Sequence, residues 1–109
     1  HGLGQALLEE MVYDPESGQM LSGSFMDYAM PKAKNFCRFE IASHPVPTKQ
    51  NPLGVKGAGE GGTVGSLAAI MNAVNDALAP LGVRNLPMPA TPERVWRAIH
   101  DARTGAAAQ

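Results

Sequence analysis

The residues most able to do chemistry lie together in Gly54-Val55-Lys56-Gly57-Ala58-Gly59-Glu60-Gly61-Gly62-Thr63, which holds five glycines and a single carboxylate. Glycine loses more backbone freedom on folding than any other residue. A stretch that orders so many together therefore needs unusual dihedral angles or the close approach of another group. Glu60 is the one acid in it, and the regularly spaced apolar residues from Val64 to Leu78 follow at once. Clustered backbone N–H groups, with the free N–H groups of a following helix, make such a loop an anion-binding surface.

Three readings of the loop compete. Gly57, Gly59 and Gly62 spell G-x-G-x-x-G, the dinucleotide fingerprint, which needs a strand before it and an acid about twenty residues after it. Pro45, Pro47 and Pro52 crowd the approach, Ala79 to Val83 supplies no acid, and Glu60 would face a pyrophosphate with negative charge. Lys56 precedes the loop instead of closing it, so the Walker pattern fails as well. In the second reading the loop is a connection, and Glu60 is a solvated carboxylate favoured by the helix dipole. In the third, Glu60 is a general base or acid at a buried cofactor that lies against bare backbone. Lys56 or the helix N-terminus would then favour the carboxylate, and withdrawal from water would oppose it. Composition and spacing do not choose between the second and third.

The remaining reactive side chains read as structural. His44 has no partner at metal-ligand spacing, His1 stands at the boundary, and His100 fits a helix C-terminal charge. Cys37 reads as a small buried or half-buried side chain with nothing beside it to activate the thiol. Met20, Met26, Met30, Met71 and Met88 read as adaptable core filler, Trp96 as the core anchor of the last helix, and Asp27 and Tyr28 as turn residues.

Around the loop the pattern predicts an α+β architecture: short strands and a hairpin, followed by two helices. Leu3, Leu7, Leu8 and Met11 recur at helical spacing over residues 2–11, so the chain opens on the later part of a helix with one buried face. Asp14-Pro15-Glu16-Ser17-Gly18 is turn chemistry between Met11-Val12-Tyr13 and Gln19-Met20-Leu21, which predicts the hairpin. Alternation over Phe36 to Ser43 predicts a strand, broken by His44-Pro45-Val46-Pro47. A helix is expected over about 64–79, slim because of Ala68, Ala69, Ala73 and Ala77, with Pro80 ending it. Thr91-Pro92-Glu93 supplies a cap hydroxyl, a first-turn proline and an acid, so a last helix is expected over about 92–103 with Val95, Trp96 and Ile99 buried. A flexible tail is expected over 104–109.

At 109 residues, 44% hydrophobic, the chain has the size of one domain and the apolar content for a modest core. A net charge of −1 with no basic stripe argues against nucleic acid and against a charged membrane surface. No run is read as long and apolar enough to span a bilayer. The lone Cys37 leaves no internal disulfide or zinc cluster and fits a cytoplasmic setting. The opening on His1 and the small-residue tail suggest the C-terminal segment of a longer polypeptide.

Several stretches, in order, resemble one family. Asn51-Pro52-Leu53-Gly54-Val55-Lys56-Gly57-Ala58-Gly59-Glu60-Gly61-Gly62-Thr63-Val64-Gly65 resembles the C-terminal active-site loop of the molybdenum hydroxylases. These are xanthine dehydrogenase, aldehyde oxidase and the large subunit of aerobic carbon monoxide dehydrogenase, the last being nearest in wording. Gly2-Leu3-Gly4-Gln5-Ala6-Leu7-Leu8-Glu9-Glu10 is similar to the helix after the family's glutamine-rich cofactor segment. Gly23 to Pro31 resembles its G-x-x-x-D-Y-x-x-P element, and Met88 to Trp96 its closing P-x-T-P-E-R-V-W helix.

The resemblance implies that residues 1–109 are the C-terminal part of a molybdopterin-binding domain. Molybdenum there is held by a pterin, in its cytosine dinucleotide form, and no protein side chain ligates it. Glu60 matches the base that deprotonates a metal-bound hydroxyl as its oxygen attacks the substrate, and Lys56, Gly57, Ala58 and Gly59 match residues lining the cofactor. The implied partners are the rest of the large subunit, iron–sulfur and FAD-carrying subunits, and a small-molecule substrate: carbon monoxide, an aldehyde or a heterocycle. The segment alone is expected to be inactive. Gly61-Gly62 departs from the family pattern, where other small residues or prolines are frequent, and that bears on substrate shape. The rival from another class is a small α+β interaction module without redox chemistry.

Overall fold

Residues 1–105 are described from a computed structural model of the chain. Three α-helices organise it: α1 (Gly2–Leu7), α2 (Gly61–Leu78) and α3 (Pro92–Thr104). A 3-10 turn spans Ala33–Asn35, and another, Ala79–Leu81, prolongs α2. The expected tail falls outside the described residues from 106 onward. Thr104 itself closes α3, its hydroxyl donating to the His100 carbonyl at 3.0 Å, and Gly105 caps the helix at φ 73°.

The strands expected on the way to the loop are largely missing among the described residues. The turn at Asp14 is formed: its Oδ1 accepts from the N–H of Glu16 and of Ser17 and from the Ser17 hydroxyl, at 2.9, 2.7 and 3.0 Å. These donors hold the Asp14 carboxyl below its ordinary value, the Ser17 N–H most strongly. Yet the flanking residues meet only in one antiparallel bridge, Tyr13 with Met20. The strand predicted over Phe36–Ser43 is not formed, and the described residues from 37 to 47 make no backbone hydrogen bond to one another or to the rest of the chain. A strand needs a neighbour to receive its N–H and C=O groups. The alternating pattern is present in the sequence, but no second strand lies beside it.

Why α1 meets α2 is written in small residues. The buried positions of α1 are Gly2, Gly4 and Ala6, while Leu3, Leu7 and Leu8 are half-buried and Met11 is exposed. The apolar stripe expected to be buried therefore gives way to the small residues. A Cβ on Gly2 would lie 1.7 Å from Ser66 Oγ and 2.7 Å from the Thr63 carbonyl oxygen, so only glycine permits this approach. Gly4 is similarly pressed by Glu9 and Pro31. Beyond α1, the Tyr28 phenol donates to Glu9 Oε2 at 2.5 Å, a bond that holds the phenol above its ordinary value.

α2 begins at Gly61, three residues before the expected start, because Gly61, Gly62 and Thr63 already adopt helical conformation. Pro80 does not stop the chain abruptly. It sits inside the 3-10 extension, and Gly82 at φ 82° makes the turn. Asn75 fastens the return: its Nδ2 donates to the Met71 carbonyl and its Oδ1 accepts from the Leu86 N–H, both at 2.8 Å. Residues 61–81 are long and apolar enough to cross a membrane by length and composition, against the sequence reading, although core helices of soluble proteins pass the same test.

α3 is started by Thr91, whose Oγ1 accepts from the Arg94 N–H at 3.3 Å. Arg94 donates to the Pro89 carbonyl at 3.0 Å and pairs with Glu10, and the Ala90 N–H donates to the Ala6 carbonyl at 2.7 Å. Those contacts dock the start of α3 on the end of α1. The buried face predicted for α3 is not buried: the helix has no buried residue, and Trp96 is 63% exposed, stacked on His100 at 5.1 Å. Of the methionines expected to fill a core, Met20, Met26, Met30 and Met88 are exposed and Met71 is half-buried, and Cys37 is exposed too.

The physical reason is the chain's openness. Its only buried apolar residues, among those described, are Ala6, Leu78 and Ala90. It exposes 8977 Å², whereas a folded monomer of this mass exposes about 5,800 Å². Its radius of gyration is 18.6 Å against about 13 Å for a compact domain of this length. Periodicity reports the faces a sequence is built to bury, and this chain by itself supplies too little to bury them.

Candidate active site

Glu60 occupies the N-cap of α2, and its carbonyl accepts the first intrahelical bond, from Val64 at 3.1 Å. Its side chain makes no capping bond, so the carboxylate is exposed at the positive end of an 18-residue helix and committed to no partner among the described residues. Lys56 makes no ion pair with it there, and Lys56, Gly57, Ala58 and Gly59 are all exposed. The stretch is thus an exposed arm of backbone leading into α2.

The glycines of this arm are unlike Gly2. A Cβ added at Gly57, Gly59, Gly61, Gly62 or Gly65 would meet nothing within 4 Å. None of them takes a positive φ, whereas Gly54 does, at 67°, with Pro47 Cβ 2.8 Å from where its own Cβ would be. Contacts within the chain explain Gly2 and Gly54 and leave the other five without a reason. A glycine in a helix costs about 0.5–1 kcal/mol relative to alanine. Gly61, Gly62 and Gly65 carry that cost with no packing return inside the chain.

Two cavities flank the framework. One, of about 410 Å³, lies beside the first turn of α2 and is lined by Gly2, Phe36, Phe39, Gly62, Thr63 and Ser66 among others. The other, of about 600 Å³, lies between α1 and α3 and presents Leu7, Leu8, Phe36, Val95, Trp96 and Ile99. Both are apolar hollows, and Glu60 lines neither. Among the described residues no group of three or more His, Cys, Asp or Glu side chains could hold a metal ion. Sequence reasoning singled out Glu60 and the residues before it, but assigned no role to Gly2, to Asn51 or to the Arg94–Glu10 pair. Asn before Pro-x-Gly is a turn signal that could have drawn attention to Asn51; nothing local announces a pairing between residues 10 and 94.

Comparison with known proteins points to one group of enzymes. Residues 1–37 match the molybdopterin cofactor-binding domain. Over 97 residues the chain is 43% identical to the nicotine 6-hydroxylase large subunit of Paenarthrobacter nicotinovorans, covering 89% of this chain and 12% of that one. It is 35% identical over 100 residues to the carbon monoxide dehydrogenase large chain of Hydrogenophaga pseudoflava, covering 92% and 12%. The solved carbon monoxide dehydrogenase from Oligotropha carboxidovorans superposes with a TM-score of 0.85 at 34% identity, over 95% of this chain and 13% of that one.

The chain is similar, over nearly all its length, to a segment of molybdenum hydroxylase large subunits. It spans about an eighth of the length of the relatives it matches. The structural match extends through the glycine arm and α2, well beyond the 37 residues matched by the domain model.

Proposed function

We propose that this chain is the C-terminal part of the molybdopterin-binding domain of a larger oxidoreductase, with Glu60 as its general base. The observation that carries the reading is an uncommitted carboxylate beside a glycine backbone whose bareness serves nothing within the chain. The fit to a pterin group rests on the same space. Where Cβ atoms are missing at Gly57, Gly59, Gly61 and Gly62, a flat, bulky group can lie directly against the main chain. When bound, the molybdenum group supplies the two-electron oxidation and the site of oxygen transfer.

The chain's own residues do the rest. The backbone of Lys56, Gly57, Ala58 and Gly59 orients the cofactor by close approach. The free N–H groups of α2's first turn favour negative charge beside them. A carboxylate oxygen of Glu60 takes that proton from the attacking oxygen. Because Glu60 is exposed in this chain, water is excluded from it only by the remainder of the large subunit.

The fuller assembly in this reading has the cytosine dinucleotide form of the pterin, iron–sulfur and FAD groups on partner subunits that carry electrons away, and a cytoplasmic setting. The substrate is a small molecule, whether carbon monoxide, an aldehyde or a heterocycle. Relatives named for nicotine and for carbon monoxide both align with this segment, so the segment by itself does not fix the substrate. The test is molybdenum analysis and pterin fluorescence after denaturation of the complete protein that carries this chain. About one molybdenum and one pterin per chain is expected. Neither would be found if the chain belonged to an interaction module without redox chemistry.

A further inference from the structure

Between two stretches without backbone hydrogen bonds lies a small closed knot, residues 48–55. The Thr48 N–H donates to the Gly54 carbonyl at 3.0 Å and the Gly54 N–H to the Asn51 carbonyl at 3.1 Å. The Gln50 N–H donates to Thr48 Oγ1 at 3.1 Å. The Asn51 side chain completes the ring in both directions: Nδ2 donates to the Val55 carbonyl at 2.8 Å, and Oδ1 accepts from the Val55 N–H at 3.2 Å. One planar amide thus satisfies both main-chain groups of one residue, as a neighbouring strand would. Asparagine is the side chain that places a donor and an acceptor in one plane at this reach.

Val55 is where the glycine arm departs. From the knot to the first residue of α2 there are only residues 56 to 60, the Lys56-Gly57-Ala58-Gly59-Glu60 stretch itself. At one end the arm is fixed by α2, which α1 holds through Gly2. At the other end stands the knot. Were the knot to open, the arm would merge with residues 37–47, which make no backbone hydrogen bond. A tether of five residues would become one of more than twenty, and the freedom of the backbone ahead of Glu60 would rise accordingly. Thr48, Asn51 and Gly54 are half-buried and the rest of the knot is exposed, so core packing does not account for it.

We infer that Asn51 is a positioning residue for the active-site arm, acting through Val55 on the backbone that presents Glu60. This rests on the reading of Glu60 as general base, and the experiment separates the two. In the assembled enzyme, Asn51→Ala and Asn51→Asp are compared with Glu60→Gln for kcat, KM, molybdenum content and amide hydrogen exchange over residues 55–60. Asn51→Ala is expected to speed exchange of the Val55 amide in that window roughly tenfold, because its bond to Asn51 Oδ1 is lost. It should also lower kcat by roughly 10- to 100-fold with KM and molybdenum content near normal, the size of effect expected from misplacing a catalytic group by about an ångström. Asn51→Asp keeps the acceptor and loses the donor, so it should fall between wild type and Asn51→Ala in both readouts. If Glu60→Gln abolishes turnover while Asn51→Ala changes neither kcat nor exchange, the positioning role is overturned alone. Faster exchange with an unchanged kcat overturns it too, since the knot would then matter only locally. If Glu60→Gln keeps its rate, the reading of Glu60 fails, and the exchange data still decide whether Asn51 orders the arm.

Discussion

Replacing Gly2 with alanine tests how the start of α2 is held. The new Cβ would stand 1.7 Å from Ser66 Oγ and 2.7 Å from the Thr63 carbonyl oxygen. Ser66 Oγ donates to that same carbonyl at 2.8 Å, so turning the hydroxyl away breaks a hydrogen bond and still leaves the carbonyl in the way. The lost bond is worth about 1 kcal/mol and the overpacking roughly 1–3 kcal/mol. Because α1 can shift to share the strain, a net cost of about 2 kcal/mol is the working figure, equivalent to roughly a 30-fold change in an opening equilibrium. Hydrogen exchange of the amides from Val64 to Leu67 in the assembled protein reads that local opening directly, without assuming that a large polypeptide unfolds in one step. Gly2→Ala is expected to accelerate it roughly 30-fold. The double variant Gly2→Ala with Ser66→Ala removes the obstacle at 1.7 Å, leaves the carbonyl at 2.7 Å, and should recover only part of the protection. Unchanged exchange in Gly2→Ala would refute the close approach of α1. Full recovery in the double variant would refute the backbone contact.

Two further outcomes follow from local chemistry. Thr91→Ala removes the oxygen that caps α3 and should cost about 1 kcal/mol, read as faster exchange at Arg94, whereas Thr91→Ser should behave as wild type. The Asp14 turn should weaken on acidification. A carboxyl held below its ordinary value of 3.8 contributes stability above that value and loses it as pH falls through the lowered one. Protection of the Ser17 amide should therefore persist at pH 5 and be lost as pH falls below the ordinary carboxylate value, and Asp14→Asn should remove that pH dependence.

What could be read from residues alone divides by the range of the forces involved. Thr91-Pro92-Glu93 sets the start of α3 through atoms within one turn, and Asp14 to Gly18 close their turn the same way. Neither needs a distant partner. The strand at Phe36–Ser43 needs one, and among the described residues none lies beside it, so alternation alone does not make the strand. Trp96, Val95 and Ile99 carry the same lesson for α3: the pattern marks a face to be covered, and in this segment it faces an open hollow. The start of α2 was obscured for another reason. Gly61 and Gly62 have poor helix propensity, so residue type alone does not announce that they are helical. At the candidate site, glycine density and a lone acid were legible at once. Which glycines answer to contacts inside the chain was not, because that is a question of distances: Gly2 and Gly54 do, and Gly57, Gly59, Gly61 and Gly62 do not.

The role of Glu60 is tested most directly by turnover of Glu60→Gln in the complete enzyme, normalised to its molybdenum and pterin content. Glutamine keeps the shape and the exposure and removes only the capacity to take a proton. With cofactor content near wild type, the rate is predicted to fall by roughly 10²- to 10⁴-fold, the usual contribution of a positioned base. A fully loaded Glu60→Gln enzyme that retained most of its rate would contradict the assignment.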